Sequence, residues 1–334
     1  MSNLTPLEYL ARIYGGNRRT HLLRVLTYHR VDEPDAKPLL NPRLISARPA
    51  VFAGQMRFLA AHYRVVSMPE VLDALDSRKK LPKNAVLITF DDACRDFGEI
   101  AWPIMKKLRL PATVFVATAY PGHPERMFWW DRLYRAMVFS ERKTLEIPPL
   151  GALSLGTKDE RAQAIRRIQN YFKTLENNTA LAMIDEVIER SGVAIKPQKT
   201  VLDWDELRQL AKEGVTLGGH TQQHPILTRI SPETARREIN GSMRDLQREI
   251  GDVLPVFAYP NGNGNEKIRH ILNAIGVRAA FSTERGFNNL YNCDFLNLRR
   301  LNITPKSSLR IFRLRLMKSV SVFDLWQTHF RANK

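Results

Sequence analysis

Four side chains have the types and spacing of a metal-assisted hydrolytic site: Asp91, Asp92, His220 and His224. The aspartates end the segment Thr89-Phe90-Asp91-Asp92, directly after the apolar run Ala85–Phe90. Two adjacent carboxylates are costly unless a proton or a cation separates their charges, although an Asp pair after a strand also serves as a helix N-cap. The histidines belong to Gly219-His220-Thr221-Gln222-Gln223-His224-Pro225, after the apolar run Val215–Leu217. At this spacing they can face one ion from a helical turn or a tight loop, or they are two hydrogen-bonded surface histidines. Gly218 and Gly219 are expected to let the backbone turn closely into the site, and Pro225 to redirect the loop. Taken together, Asp92, His220 and His224 form a two-histidine, one-carboxylate set with positions left open for water and a substrate oxygen. Such a set suits zinc acting on an acyl group, with other divalent ions as alternatives. Asp91 would then stand beside the attacking water, where a general base belongs.

The elements that must position these residues read as alternating strands and helices. Short β-branched and aromatic runs at Arg24–Tyr28, Ala85–Phe90, Thr113–Ala117, Val215–Gly219, Pro255–Tyr259 and Arg278–Ser282 read as buried strands. Amphipathic stretches at Pro49–His62, Phe97–Leu108, Trp204–Lys212, Pro232–Ile250 and Glu266–Ile275 read as the helices between them. Ser231-Pro232 supplies an N-cap and a first-turn proline. This alternation predicts an α/β fold with mostly parallel strands. From about 120 to 200 the strand signal fades, and helical patterns at Trp129–Phe139, Lys158–Leu175 and Ala180–Arg190 predict a helical insertion between two strands.

Composition narrows the class. A 334-residue chain with 44% hydrophobic and 25% charged residues is that of a globular protein. No run approaches the roughly 18 apolar residues of a membrane span, and the N-terminal sequence lacks a secretory pattern. With only Cys94 and Cys293, no disulfide framework is expected. These features together predict a cytoplasmic protein. The net charge of +17 and pI near 10.1 invite nucleic acid as a partner, but no nucleic-acid motif accompanies them and none is expected. Basic residues crowd the two ends, at Arg18, Arg19 and Arg24 and again from Arg299 to Lys318. An anionic membrane surface at the inner face of the membrane, a phosphorylated lipid substrate or a solvated surface would each suit them. The segment Ser308–Lys334 mixes arginines with Phe312, Leu316, Phe323 and Trp326, as an interfacial helix would, or as a helix packed on the main domain would.

The chain resembles the polysaccharide deacetylases of carbohydrate esterase family 4, the NodB-homology family. The resemblance rests on Thr89-Phe90-Asp91-Asp92, on His220-Thr221-Gln222-Gln223-His224-Pro225 and on Phe257-Ala258-Tyr259-Pro260-Asn261-Gly262. Leu26-Thr27-Tyr28-His29-Arg30-Val31 looks like the opening strand of one bacterial branch. The likeness runs from about Val25 to Ile303 and implies a distorted (β/α)7 barrel over residues 24–304, interrupted by the insertion. An N-terminal extension (1–23) and a basic amphipathic tail (305–334) flank it. The resemblance also implies Asp91 as base, with Asp92, His220 and His224 as ligands of a divalent metal, zinc by preference. A backbone N–H near Asn261 is then a donor to the developing oxyanion.

Two family features are altered. Ala258 stands where many members carry an arginine that orients the base, so Arg299 or Arg300 is expected to supply the guanidinium. The late leucine-x-histidine motif is missing, since no histidine lies between His270 and His329. His29, at the end of the first strand, is the replacement candidate for the general acid, with anchoring of the first loop as its other reading. Tyr259 and Trp204 are candidate substrate contacts. Trp129, Trp130 and Asp131 open the insertion and either line a sugar site or pack their helix. The expected substrate is an N-acylated amino-sugar glycan, or its polyprenyl- or nucleotide-linked precursor. A sugar-binding protein without catalysis and a deformylase are the competing readings.

Overall fold

The run AVLITF at 85–90 is buried at every position, which only a strand covered on both faces allows. In the computed structural model, which describes residues 21–34, 39–123 and 125–317, it is the middle of a curled sheet. The strands, in chain order, are β1 (Leu22–Tyr28), β2 (Arg30–Val31), β3 (Ile45–Ala47), β4 (Arg64–Val65), β5 (Ala85–Phe90), β6 (Thr113–Val116), β7 (Thr144–Ile147), β8 (Gly151–Ser154), β9 (Thr216–Gly219), β10 (Val256–Ala258), β11 (Ala279–Phe281), β12 (Asn288–Asn289) and β13 (Leu301–Asn302). The main sheet runs β11-β10-β9-β6-β5-β1-β12, parallel throughout except for the antiparallel β1–β12 pair. Its open edge is bridged by the late segment. Leu298 pairs with Phe281 of β11, and Leu301 three residues later pairs with Leu26 of β1. The distorted barrel is therefore present, closed by a short strand.

Helices Pro49–His62, Met68–Asp76, Trp204–Lys212, Pro232–Ile250 and Glu266–Ile275 alternate with the strands, and Ser231 caps the fourth of these by accepting from the Thr234 N–H. The insertion differs from expectation in one respect. Between its helices Trp129–Phe139, Lys158–Phe172 and Asn177–Ser191 it carries the antiparallel hairpin β7–β8. Leu145 and Ile147 alternate inward with exposed partners, but over four residues, too short a pattern to stand out in the sequence. These elements enclose a hydrophobic cluster of their own, built on Leu133, Ile147, Ile168 and Ile184.

One further expectation is corrected. Gly218 and Gly219 do not have the positive φ of a glycine turn. They are close-approach positions: a Cβ on Gly218 would stand 2.8 Å from the Phe115 ring, and one on Gly219 2.8 Å from Met243 Sδ. Near the C-terminus, the helix Leu309–Arg315 buries Phe312 and Leu316 against the barrel, with Phe312 edge-on to Phe58. These two apolar side chains are committed to the core and are not offered to a membrane. Phe323, Leu325, Trp326 and Lys318 lie outside the described residues, as do Arg18 and Arg19. Arg24 is no surface cation either. It is buried, donates to the Leu316 carbonyl at 2.8 Å and lies over the Phe287 ring.

Candidate metal centre

Each motif sits where a parallel strand ends. Asp91 extends β5 by one residue, its N–H donating to the Tyr28 carbonyl at 3.0 Å. Asp92 and Ala93 then take left-handed backbone, with φ of 72° and 49°. His220 follows β9, its N–H held by the Val116 carbonyl, and Thr221 and His224 are again left-handed at 66° and 61°. The Thr221 hydroxyl accepts from the His224 N–H at 2.9 Å, closing the loop between the histidines. Of the eight non-glycine residues with positive φ among the described residues, Asp92, Thr221, His224 and Asn261 belong to the three motifs and Ala93 directly follows the first. Backbone strain concentrates where side chains must converge.

The convergence is close. Asp92 Oδ1 lies 3.5 Å from His220 Nε2 and 3.4 Å from His224 Nε2, and the three potential ligand atoms fall within 4.8 Å of one another. Those spacings are too long for good hydrogen bonds. They match two ligands about 2.0–2.1 Å from one tetrahedral ion, which stand roughly 3.3 Å apart. Asp92 Oδ1 is buried without a hydrogen-bond partner, an arrangement a cation would relieve. His220 Nδ1 donates to the Ala258 carbonyl at 2.7 Å, which turns the ring so that Nε2 faces Asp92. Burial pulls His224 down to about 4 against the partly offsetting charge of Asp92, so it is neutral at physiological pH, the form that binds a cation. Burial alone would raise Asp92, but the imidazoles of His220, His224 and His29 around it outweigh that and hold the carboxylate ionised. The donor set and its geometry fit a divalent ion.

Asp91 is held differently. Arg300, fully buried, forms a fork to it, Nη1 to Oδ1 and Nη2 to Oδ2 at 2.8 Å each. Arg300 Nε in turn donates to the Ser282 carbonyl at 2.7 Å. Burial would raise Asp91, but Arg300, with His220 and His29, outweighs it and keeps the carboxyl below its ordinary range. Arg299, the neighbouring candidate, is placed elsewhere: its side chain is 46% exposed and faces Glu284. His29 is half-buried, its N–H donating to the Ser46 hydroxyl, and it stands within electrostatic reach of both aspartates.

The remaining candidates divide. Asn261 is exposed in the β10 loop at φ 56°, its carbonyl accepting from Thr283. Tyr259 is buried with its hydroxyl donated to the Leu296 carbonyl, so it supports the loop and offers no free group to a substrate. Trp204 packs against the core and beside Gly122, and makes no ring contact with either site histidine among the described residues. The insertion supplies what the motifs did not reveal. Trp130 and Phe128 meet the His224 ring edge-on at 4.9 and 5.7 Å, while Trp129 stacks on Phe172 inside the insertion. Asp131 pairs with buried Arg30 at 2.8 Å, tying the insertion to the residue after His29. Behind the histidine loop, Glu238 accepts the Gln222 and Gln223 N–H groups at 2.9 Å each. No local sequence signal marks Glu238 or the Ala258 carbonyl, since both act across long stretches of chain.

Comparison with known proteins places the chain among deacetylases by family model and by fold. Residues 78–280 match the family model of polysaccharide deacetylases. The poly-β-1,6-N-acetyl-D-glucosamine N-deacetylase of Staphylococcus epidermidis is 29% identical over 252 residues, 68% of this chain and 83% of that enzyme. Its Staphylococcus aureus namesakes are 31% identical, but over only 29% of this chain and 36% of theirs. Among solved structures, a Streptococcus pyogenes deacetylase in complex with acetate superposes with a TM-score of 0.58 at 21% identity, covering 89% of this chain and 98% of that one. IcaB from Ammonifex degensii superposes with the same TM-score at 19% identity, covering 89% and 97%. At these identities the two structures establish the fold.

Proposed function

The chain belongs to the polysaccharide deacetylase family, and we propose that it hydrolyses the N-acetyl amide of amino-sugar residues in a glycan, with a divalent cation held by Asp92, His220 and His224. The observation that carries this reading is the buried, unpartnered Asp92 Oδ1 facing two imidazoles, beside an aspartate held by an arginine fork. The cation, zinc by its ligand types, would supply Lewis-acid polarisation of the amide carbonyl and activation of the water. Asp91 accepts the proton of the attacking water, and Arg300 holds its two oxygens in place for that transfer. The water oxygen adds to the amide carbon, and a backbone N–H at Asn261 donates to the carbonyl oxygen as charge develops there. The C–N bond then breaks, His29 as imidazolium gives its proton to the departing amine, and acetate and free amine leave. The alternative of a binding protein without catalysis has less support, because stacking or hydrogen bonding to sugars needs neither the Asp92 trio nor the Arg300 fork.

The glycan is assigned by likeness to the poly-β-1,6-N-acetyl-D-glucosamine enzymes; a lipid- or nucleotide-linked precursor is the second candidate substrate. Two free cysteines, Cys94 buried and Cys293 half-buried, support a reducing compartment such as the cytoplasm. No described helix is long and apolar enough to cross a membrane. The test is release of free amine from N-acetylated β-1,6-glucosamine oligomers. Asp91→Asn is expected to lower turnover by roughly 100-fold or more and His29→Ala by roughly 100-fold, both with metal content kept. An Asp91→Asn variant with near-parental turnover would remove the base assignment, and the same result for His29→Ala would remove the acid.

A further inference from the structure

The helix Pro232–Ile250 meets the histidine loop through one face, Glu238, Gly241, Ser242 and Asp245, spaced as neighbours on successive turns. Glu238 is 8% exposed, and one of its oxygens accepts both the Gln222 and the Gln223 N–H at 2.9 Å. Gly241 leaves room for the Gln222 side chain, whose amide carbon would stand only 2.4 Å from a Cβ there. Asp245 receives the Gln222 amide at 2.8 Å and the Thr118 hydroxyl at 2.7 Å, while Ser242 lies under Gly219. The loop thus seated runs between His220 and His224 and contains two left-handed non-glycine residues, Thr221 and His224. Such conformations are disfavoured when nothing stabilises them, and it is the buried Glu238 carboxylate that draws the Gln222 and Gln223 N–H groups onto the helix.

We propose that Glu238 is a positioning residue for the metal centre: by accepting the two loop N–H groups it holds His220 and His224 at the separation one cation requires. It touches neither the ion nor the substrate, and acts through the backbone. A layer behind metal ligands that sets their orientation contributes to affinity as well as to stability. The inference rests on the metal reading of Asp92, His220 and His224, and the test separates the two.

Zn²⁺ and Co²⁺ affinities of the full chain are measured by competition with a chromophoric chelator for the parent, Glu238→Ala, Glu238→Gln and Glu238→Asp. Circular dichroism verifies folding, and the Co²⁺ absorption spectrum reports ligand geometry. Loss of the acceptor in Glu238→Ala is expected to weaken metal binding roughly tenfold or more and to alter the Co²⁺ spectrum. Glu238→Gln keeps an oxygen for both N–H groups and is expected to bind within about threefold of the parent, with Glu238→Asp between the two. A folded Glu238→Ala with parental affinity and spectrum overturns the inference, as does a Glu238→Gln as weak as Glu238→Ala. Should Glu238→Ala not fold, parental affinity in Glu238→Asp overturns it instead. A parent that binds neither ion overturns the metal reading and this inference with it, whereas equal binding by parent and Glu238→Ala leaves the metal reading intact.

Discussion

Arg299 and Arg300 illustrate what single residues reveal and conceal. The absence of an arginine at Ala258 pointed to a guanidinium from the late segment, yet adjacent residues of a strand face opposite sides. Both arginines stand just before β13, between the Leu298–Phe281 bridge and the Leu301–Leu26 pair, and it is Arg300 that turns inward onto Asp91. Arg300→Lys keeps the charge but loses the fork and the Ser282 bond. It is expected to lower unfolding free energy by roughly 2–4 kcal/mol and turnover by at least about tenfold. Arg299→Lys, at an exposed pair, is expected to stay within about 0.5 kcal/mol. Urea unfolding and amine release for the two variants side by side check this, and similar losses in both would contradict the assignment. Asp91, Asp92, His220 and His224 were legible because charged and imidazole side chains at strand ends are few and costly. The Ala258 carbonyl was not, because every residue has one.

At the scale of elements, the strands and helices around the barrel followed from periodicity, and the late strand-like segment Leu298–Ile303 contains the closing β13, whereas β7–β8 was too short for it. The tie between β2 and the insertion was also invisible: Arg30 and Asp131 are buried partners 101 residues apart. Asp96 shares that surrounding and accepts the Val31 N–H at 2.6 Å. Burial pushes its carboxyl up to about 6, against the lowering effects of Arg30 and the Val31 hydrogen bond and with Asp32 adding to the rise. A carboxyl raised on folding favours the native state while protonated. Its contribution is complete below the unfolded value of 3.8 and is lost as pH rises through about 6. Asp96→Asn, which keeps an acceptor for Val31, is expected to gain on the parent across this window, by at most roughly 3 kcal/mol at neutral pH. Urea midpoints of both proteins at about pH 4 and about pH 7 measure it. A constant difference between them would show that Asp96 does not titrate there.

Across the whole molecule, the fold was readable because strand–helix alternation leaves few architectures. The charge was not a guide: among the cations that made a basic surface plausible, Arg24 and Arg300 are buried in specific partnerships. The barrel brings together β5 and β9 across β6, and the chain spends its strain on the three loops that end them and β10. Catalysis by this barrel depends on those loops holding a working cation. The most direct measurement is amine release from N-acetylated β-1,6-glucosamine oligomers by chelator-stripped protein, before and after stoichiometric Zn²⁺, Co²⁺ or Mn²⁺ is added. No release is expected from stripped protein, with recovery on addition of at least one ion in the parent but not in Asp92→Ala. Full release from stripped protein, or recovery in Asp92→Ala equal to the parent's, would contradict this expectation.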